Sequence, residues 1–433
     1  MATDVDVQYF SHLNGLTLGN NWGDMIRLLD TCLVNGLPLT SITSASIDAQ
    51  GDITLSLYAA HNCMLFQIIE LTGFTNVSID GVSRQVNGKY RIKGVPAANQ
   101  LILKGIARTD ANPTVVNLIG IGAAKLASLG YDIIFRDNND VKRVYRAKNP
   151  RAEHPFIRVD ETISDGTNSY ASNYTKCAMV GLLESMQHID DYQNLNVLQL
   201  PFDPNNLQRN WKITGTGGAV VRGWCKWQWA SQYDTTIGYG ESQVPAAGSR
   251  SFTLLGDSDA FYLLRATASN NSSKLLAGCG LFNSVHNNSV VPNWFLMATT
   301  FNYAASSSNY LYNYEACMPL AVNANTSKFH VTNFNETTRL STSVLASAIM
   351  PDYNPGTSNI YSSNNVAALE IPFFDASKFL RGTLKHIYYN GKSLGTVGST
   401  IPSIYDNSMY VVENLANTVW NGGSVLLYLG ELE

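Results

Sequence analysis

The sequence predicts a mainly β protein: a short N-terminal helix, a small β module, then a larger antiparallel β-sandwich-like body with long loops. Three observations carry that expectation. Many short runs alternate apolar and polar residues, as in Ile53-Thr54-Leu55-Ser56-Leu57, the pattern of a strand with one buried face. The clearest helical spacing of apolar residues is in one stretch near the start. Charged residues make up 14% of the 433, against roughly 25% in an average domain. Ser, Thr, Asn and Gly take their place, which suits an extracellular or assembled β protein better than a solvated enzyme.

The elements follow in order. Residues 21–35 predict a helix because Trp22, Met25, Ile26, Leu29, Cys32 and Leu33 recur three and four apart. Asn21 is placed to cap it, Gly36 to end it, and Pro38 follows. With this helix, residues 1–107 form the first module, a meander of strands expected to make a small sandwich or partly closed barrel. Residues 108–129 connect it onward. There IGIGAAKLASLG reads as an extended connection or strand, since TVVNLIGIG is β-branched and rich in glycine. Residues 130–265 form the sandwich body, with FIRVDE, NWKITG, AVVRGWCKWQW and SFTLLGDSDAFYLLRA as strands. Asp165–Gly166 and Gly217–Gly218 are candidate hairpin turns. Met179, Leu182, Leu183 and Met186 share one helical face, so a short helix is expected in 175–190. Residues 266–365 read as a loop-rich region or inserted subdomain, and 366–433 as C-terminal strands that complete the body.

Several function classes are disfavoured. A net charge of −4 lacks the basic stripe a nucleic-acid site needs. No apolar run approaches the roughly 20 residues that span a bilayer, and MATDVDVQYF lacks the features of a secretory leader. Assembly in a cytoplasm without membrane insertion is expected. The cysteines Cys32, Cys63, Cys177, Cys225, Cys279 and Cys317 show no paired spacing, so each reads as a small buried apolar residue. Gly120–Lys125 and Gly215–Gly218 lack the ending of a phosphate loop. Asp257-Ser258-Asp259 starts like a calcium loop, but Ala260-Phe261 follows where oxygen ligands are needed. A turn is expected there instead, with both carboxylates binding backbone amides. The seven histidines are scattered. No cofactor, no metal and no catalytic residue is expected.

Two clusters stand out as binding surfaces. In the run Trp224–Trp229, a strand would place Trp227 and Trp229 with Cys225 on one face and Trp224 with Lys226 and Gln228 on the other. Tryptophans of this kind bury area in a core or a subunit interface, or stack on sugar rings. The basic run from Lys142 to Arg151, with Lys142, Arg143 and Arg146, could dock an acidic face of a neighbouring subunit, or be a solvated hairpin loop.

GYDIIFRDNNDVKRVYRAKNPRAEHPFIRVD, residues 130–160, resembles a family of virion structural proteins found in tailed-bacteriophage tails and appendages. Further matches fall in the family's order: LDTCLVNGLP (29–38), VNGKYRI (86–92), RSFTLLGDSDAFYLL (250–264) and FLRGTLKHIYYN (379–390). The departures are Ser251-Phe252 where a tryptophan is usual, and Lys385-His386 in place of Pro-Gly; residues 266–365 carry no match. In length and style the chain is most similar to the tail sheath or appendage proteins of schitovirus-type podophages. The resemblance implies a non-enzymatic virion part, a non-contractile sheath of identical subunits around a tail tube. It would contact itself as a homo-oligomer, other tail, tail-tube or portal proteins, and a host outer-membrane receptor or surface glycan. The rival expectations are a receptor- or glycan-binding fibre protein and a capsule-degrading glycosidase.

Overall fold

The structure, a computed structural model, describes residues 5–110, 113–162, 175–202, 205, 213–214, 221–222, 225–231, 244–266, 274–286, 291–297, 300–301, 320, 328–334, 344–349, 369–390, 400–405, 407–415 and 424–432. It is mainly β, with antiparallel sheets and one short helix near the N-terminus. Strand β1 (Gln8–Ser11) comes first, then helix α1 (Asp24–Leu29), which runs into a π-helical turn over Asp30–Asn35. The expected helix is thus present, with its second half wound more loosely. Asn21 is not its cap. Gly23 holds that position, and Glu161, far along the chain, accepts hydrogen bonds from the Gly23 and Ile26 N–H groups. A carboxylate there satisfies orphan donors and suits the positive end of the helix.

The first β module is a closed barrel. Its strands are β2 (Leu37–Pro38), β3 (Ile42–Ile47), β4 (Ile53–Leu57), β5 (Ile68–Phe74), the small hairpin β6 (Val77–Ile79) and β7 (Val82–Arg84), β8 (Gly88–Ala97), β9 (Gln100–Leu103), β10 (Val116–Asn117) and β11 (Gly120–Leu126). β2 leads directly into β3, and β10 into β11, and these two composite strands pair with each other. Leu37 faces Leu126, Leu39 N–H donates to Ala124 O, Leu118 N–H to Ala45 O, and Ile47 faces Val116. The pairing stays in register throughout. It closes the order β2/β3, β4, β9, β8, β5, β10/β11 into a ring. Closure leaves no open edge, and the inward residues Ile53, Leu55, Leu57, Ile69, Leu71, Ile92, Leu101 and Leu103 fill the interior. The extended connection or strand expected in 108–129 contains β10 and β11.

The body has three β layers. The first is a seven-stranded sheet of β12 (Tyr131–Arg136), β13 (Lys142–Ala147), β14 (Phe156–Asp160), β15 (Lys176–Leu183), β16 (Gln199–Leu200), β19 (Cys225–Ala230) and β25 (Thr300–Phe301); β17 (Ile213–Thr214) and β18 (Val221–Arg222) pair only with each other. The other two layers are halves of one thirteen-stranded sheet. It joins β1 to β20 (Phe252–Gly256), β21 (Ala260–Arg265), β22 (Leu275–Leu281), β23 (Asn283–Ser284), β24 (Trp294–Met297), β26 (Lys328–Val331), β27 (Val344–Ala348), β28 (Leu369–Asp375), β29 (Leu380–Asn390), β30 (Ile401–Tyr405), β31 (Ser408–Asn414) and β32 (Ser424–Glu431). This sheet folds back on itself. Leu255, Tyr262 and Phe295 from its first half share a core with Phe373, Ile387, Val411 and Leu427 from its second. The other face of the first half, Phe252, Leu254, Phe261 and Leu263, packs on Ile157, Val180, Trp227 and Trp229 of the seven-stranded sheet.

Two expectations are corrected. The helix expected around Met179–Met186 is instead strand β15, with every side chain buried. A strand covered on both faces reads as a continuous apolar run, which periodicity cannot tell from a buried helix. Residues 266–365 are not only loops: β22, β24, β26 and β27 sit in the middle of the large sheet. The candidate turns at Asp165–Gly166 and Gly217–Gly218 lie outside the described residues. Cys32, Cys63, Cys177, Cys225 and Cys279 are buried, as expected.

Candidate functional site

Much of the two clusters singled out in the sequence is buried. Trp227 and Trp229 are fully buried. Trp227 Nε1 donates to Met297 O at 2.8 Å, and its ring meets Phe261 edge-on at 5.9 Å. Trp229 meets Trp22 at 6.0 Å. As interface residues both are corrected: β19 lies between β15 and β25, and both of its faces are covered. Trp224 lies outside the described residues. Lys142–Ala147 of the basic run is strand β13, and residues 148–151 form an exposed loop after it. Arg143 is 2% exposed and held by Asp30, Asp137 and Asp140. Lys142 pairs with Asp190 at 2.9 Å. Arg146 lies 4.4 Å over the Phe156 ring and donates from Nε to His154 O. Lys142 and Arg143 are matched by carboxylates within the chain, so Arg143 in particular is a structural residue and not a docking one.

The most elaborate ionic cluster gathers at the turn between β20 and β21. The turn expectation holds for Asp257, whose Oδ1 accepts from the Asp259 and Ala260 N–H groups at 2.8 and 3.0 Å. Its Oδ2 lies 2.9 Å from His386 Nε2. Asp259 instead reaches outward: Oδ1 meets His154 Nε2 at 2.8 Å and Arg151 Nη2 at 2.9 Å, and Oδ2 meets Lys385 Nζ at 2.5 Å. The Arg151 N–H donates to His154 Nδ1 at 2.8 Å. His154 therefore carries its proton on Nε2 and donates it to Asp259. One turn thus ties all three layers: Arg151 and His154 precede β14, and Lys385 and His386 belong to β29. No local signal marks these partners, because they stand 105 to 129 residues from their aspartates in the chain.

Burial opposes ionisation of Asp257 and Asp259, yet the hydrogen bonds from His386 to the first, and from His154, Lys385 and Arg151 to the second, hold both below the usual carboxylate range. Asp160 and Asp190 behave alike: burial is outweighed by Arg158 and Lys142. A glycosidase general acid needs a raised pKa, and these four carboxyls are shifted the other way. Among the described residues no three His, Cys, Asp or Glu side chains gather as a metal site, and no helix is long and apolar enough to cross a membrane.

Two apolar or aromatic clusters lie at the surface. On the outer face of the last layer, Tyr388, Tyr405, Tyr410 and Tyr428 stand on β29, β30, β31 and β32 with ring centroids 5.6 to 6.1 Å apart. They surround Val412 and Leu426, and Tyr388, Tyr405 and Tyr428 are half-buried. Exposed Glu370 lies opposite Tyr388, and exposed Glu431 accepts hydrogen bonds from Tyr428 and Ser408. The second surface is one end of the barrel, where Val82, Val115, Ile119 and Ile121 are exposed, Ile121 at 97%. Single exposed apolar residues are ordinary; a group of them marks an interaction surface. Neither surface was singled out from the sequence, where their residues read as ordinary strand alternation.

No protein-family model matches this chain, and no curated protein matches it.

Proposed function

We propose that the protein is a structural component of a bacteriophage tail, a non-contractile sheath subunit that assembles with copies of itself around the tail tube. The supporting observation is how the side chains are distributed. Several charged groups of the body, among them Asp257, Asp259, Lys274 and Glu413, are held in internal clasps, while a cluster of half-buried tyrosines and a group of exposed aliphatic residues lie at the surface of two modules. Assembly through such faces buries area without chemistry, and interfaces favour tyrosine over lysine at their centres. The motif resemblance supplies the virion setting. A second reading, a receptor- or glycan-binding appendage, draws on the same tyrosine face, since rings flanked by carboxylates suit a sugar's apolar face and hydroxyl rim. Electron microscopy of particles labelled with an antibody to the protein separates them. Label in a ring or tube around the tail is expected. Label at fibre tips would favour the appendage, and particles without label would sink both.

A further inference from the structure

We infer that these two surfaces are the two halves of one contact: the barrel end of one copy seats on the tyrosine face of the next, head to tail. This rests on the self-assembly reading and names the surfaces that would carry it. The first argument is charge. Exposed Arg84 and Lys89 flank the barrel end. Arg84 closes the β6–β7 hairpin that follows β5, and Lys89 sits across from Glu70 on β5, whose other neighbour is β11 with Ile121. The tyrosine face carries the exposed carboxylates Glu370 and Glu431. Opposite signs steer the two surfaces together, whereas either surface docked on its own copy would set like charges against each other. A two-fold contact is therefore disfavoured and a heterologous one favoured.

The second argument is the edge. An edge strand is a place for strand addition, and among the described residues β30 ends the large sheet. Its Pro402 has no N–H to offer a further strand. Copies that approach here are directed to the face of the sheet and not to its edge. Heterologous contacts repeat, and they close into rings when the rotation allows, which is the geometry a sleeve around a tube needs.

Sedimentation velocity of the full chain, from low to high micromolar concentration, tests the contact with two variants. Ile121→Asp spoils the barrel end and Tyr405→Asp the tyrosine face; each is checked for native far-ultraviolet circular dichroism and unchanged melting. The wild type is expected to associate, and each variant alone to do so about a hundredfold more weakly, the scale of burying an unpaired charge. Mixed in equal amounts, the variants retain one good barrel end and one good tyrosine face between them. They should form a heterodimer and stop. A wild type that stays monomeric throughout, a mixture that stays monomeric, or a mixture that grows beyond dimers would each overturn the contact. Antibody label on the tail together with a monomeric wild type would leave the structural reading standing while removing this contact.

Discussion

The barrel and the three-layer body are both antiparallel β, yet they hold together differently. The barrel closes on itself through neighbours that are mostly close in sequence, and its interior is aliphatic. The body is a stack of open layers joined by side chains from distant parts of the chain. Lys274 and Glu413, 0% and 2% exposed at the side chain, pair at 2.8 Å across 139 residues, and Thr253 and Thr400 complete the network. Gln8 inserts its amide between β1 and the barrel, donating to Ile68 O and Ala127 O and accepting from Ile68 N–H. Arg91 reaches from β8 to Phe66 O and Leu429 O. A closed sheet satisfies its own backbone, whereas open layers need buried polar groups that find partners only in one arrangement.

The sharpest way to break this contrast is to remove one side of the buried pair. Glu413→Ala leaves Lys274 enclosed without a counter-charge and should destabilise by ~3–5 kcal/mol in urea unfolding. The double replacement Lys274→Met with Glu413→Leu should regain most of that, because a buried pair replaced as a whole is close to neutral. A single variant as stable as the wild type would refute the idea that this network holds the layers.

Leu55→Ala tests the barrel side. It opens a cavity in an aliphatic interior and should destabilise by about 3 kcal/mol. Hydrogen exchange should show faster opening confined to β3, β4 and β9, whereas the Glu413 variant should loosen strands from both halves of the large sheet. Identical exchange patterns for the two would remove the distinction.

The clasp at Asp259 is the next step down. Asp259→Asn keeps the shape and loses the charge, and should cost about 2 kcal/mol, the range for hydrogen bonds to charged groups. The pH dependence follows from the direction of its shift. A carboxyl depressed in the folded state contributes stability that is fully present above its unfolded value of ~3.9 and is lost as the pH falls through the folded one. The gap between wild type and variant should therefore be constant from neutral pH down to about 4 and narrow below that. A gap that widens in acid would mean that Asp259 is not held ionised.

The smallest effect belongs to a barrel turn. Asp80 and Gly81 both have positive φ, at 53° and 76°, as a two-residue hairpin turn requires. A Cβ at Gly81 would meet nothing within 4 Å, so Gly81→Ala should cost only the backbone strain, about 1 kcal/mol. Asp80 is held down to about 2 by the Thr109 N–H and by Arg108, which ties this hairpin to the strand connection beyond β9.

The sequence by itself determined what depends on neighbours along the chain. Alternation in Ile53–Leu57 identified β4 and its inward face, and the β-branched, glycine-bearing run before Leu126 read correctly as a strand and not a helix. The helix near Met25–Leu33, the turn at Asp257 and the buried character of five cysteines were legible for the same reason. Tertiary structure alone decided the rest. It put Trp227, Trp229 and Arg143 inside, because whether a strand's second face meets water depends on a layer contributed by residues elsewhere. It made β15 a strand, since a segment covered on both sides loses the periodicity that separates strand from helix. It brought His154, Lys385 and His386 to two aspartates more than a hundred residues away, and it left Ile121 exposed and Tyr388, Tyr405 and Tyr428 half-buried at the surface. Alternation says that one face of a strand is apolar; only the packing of the other layers says whether that face has already found a partner.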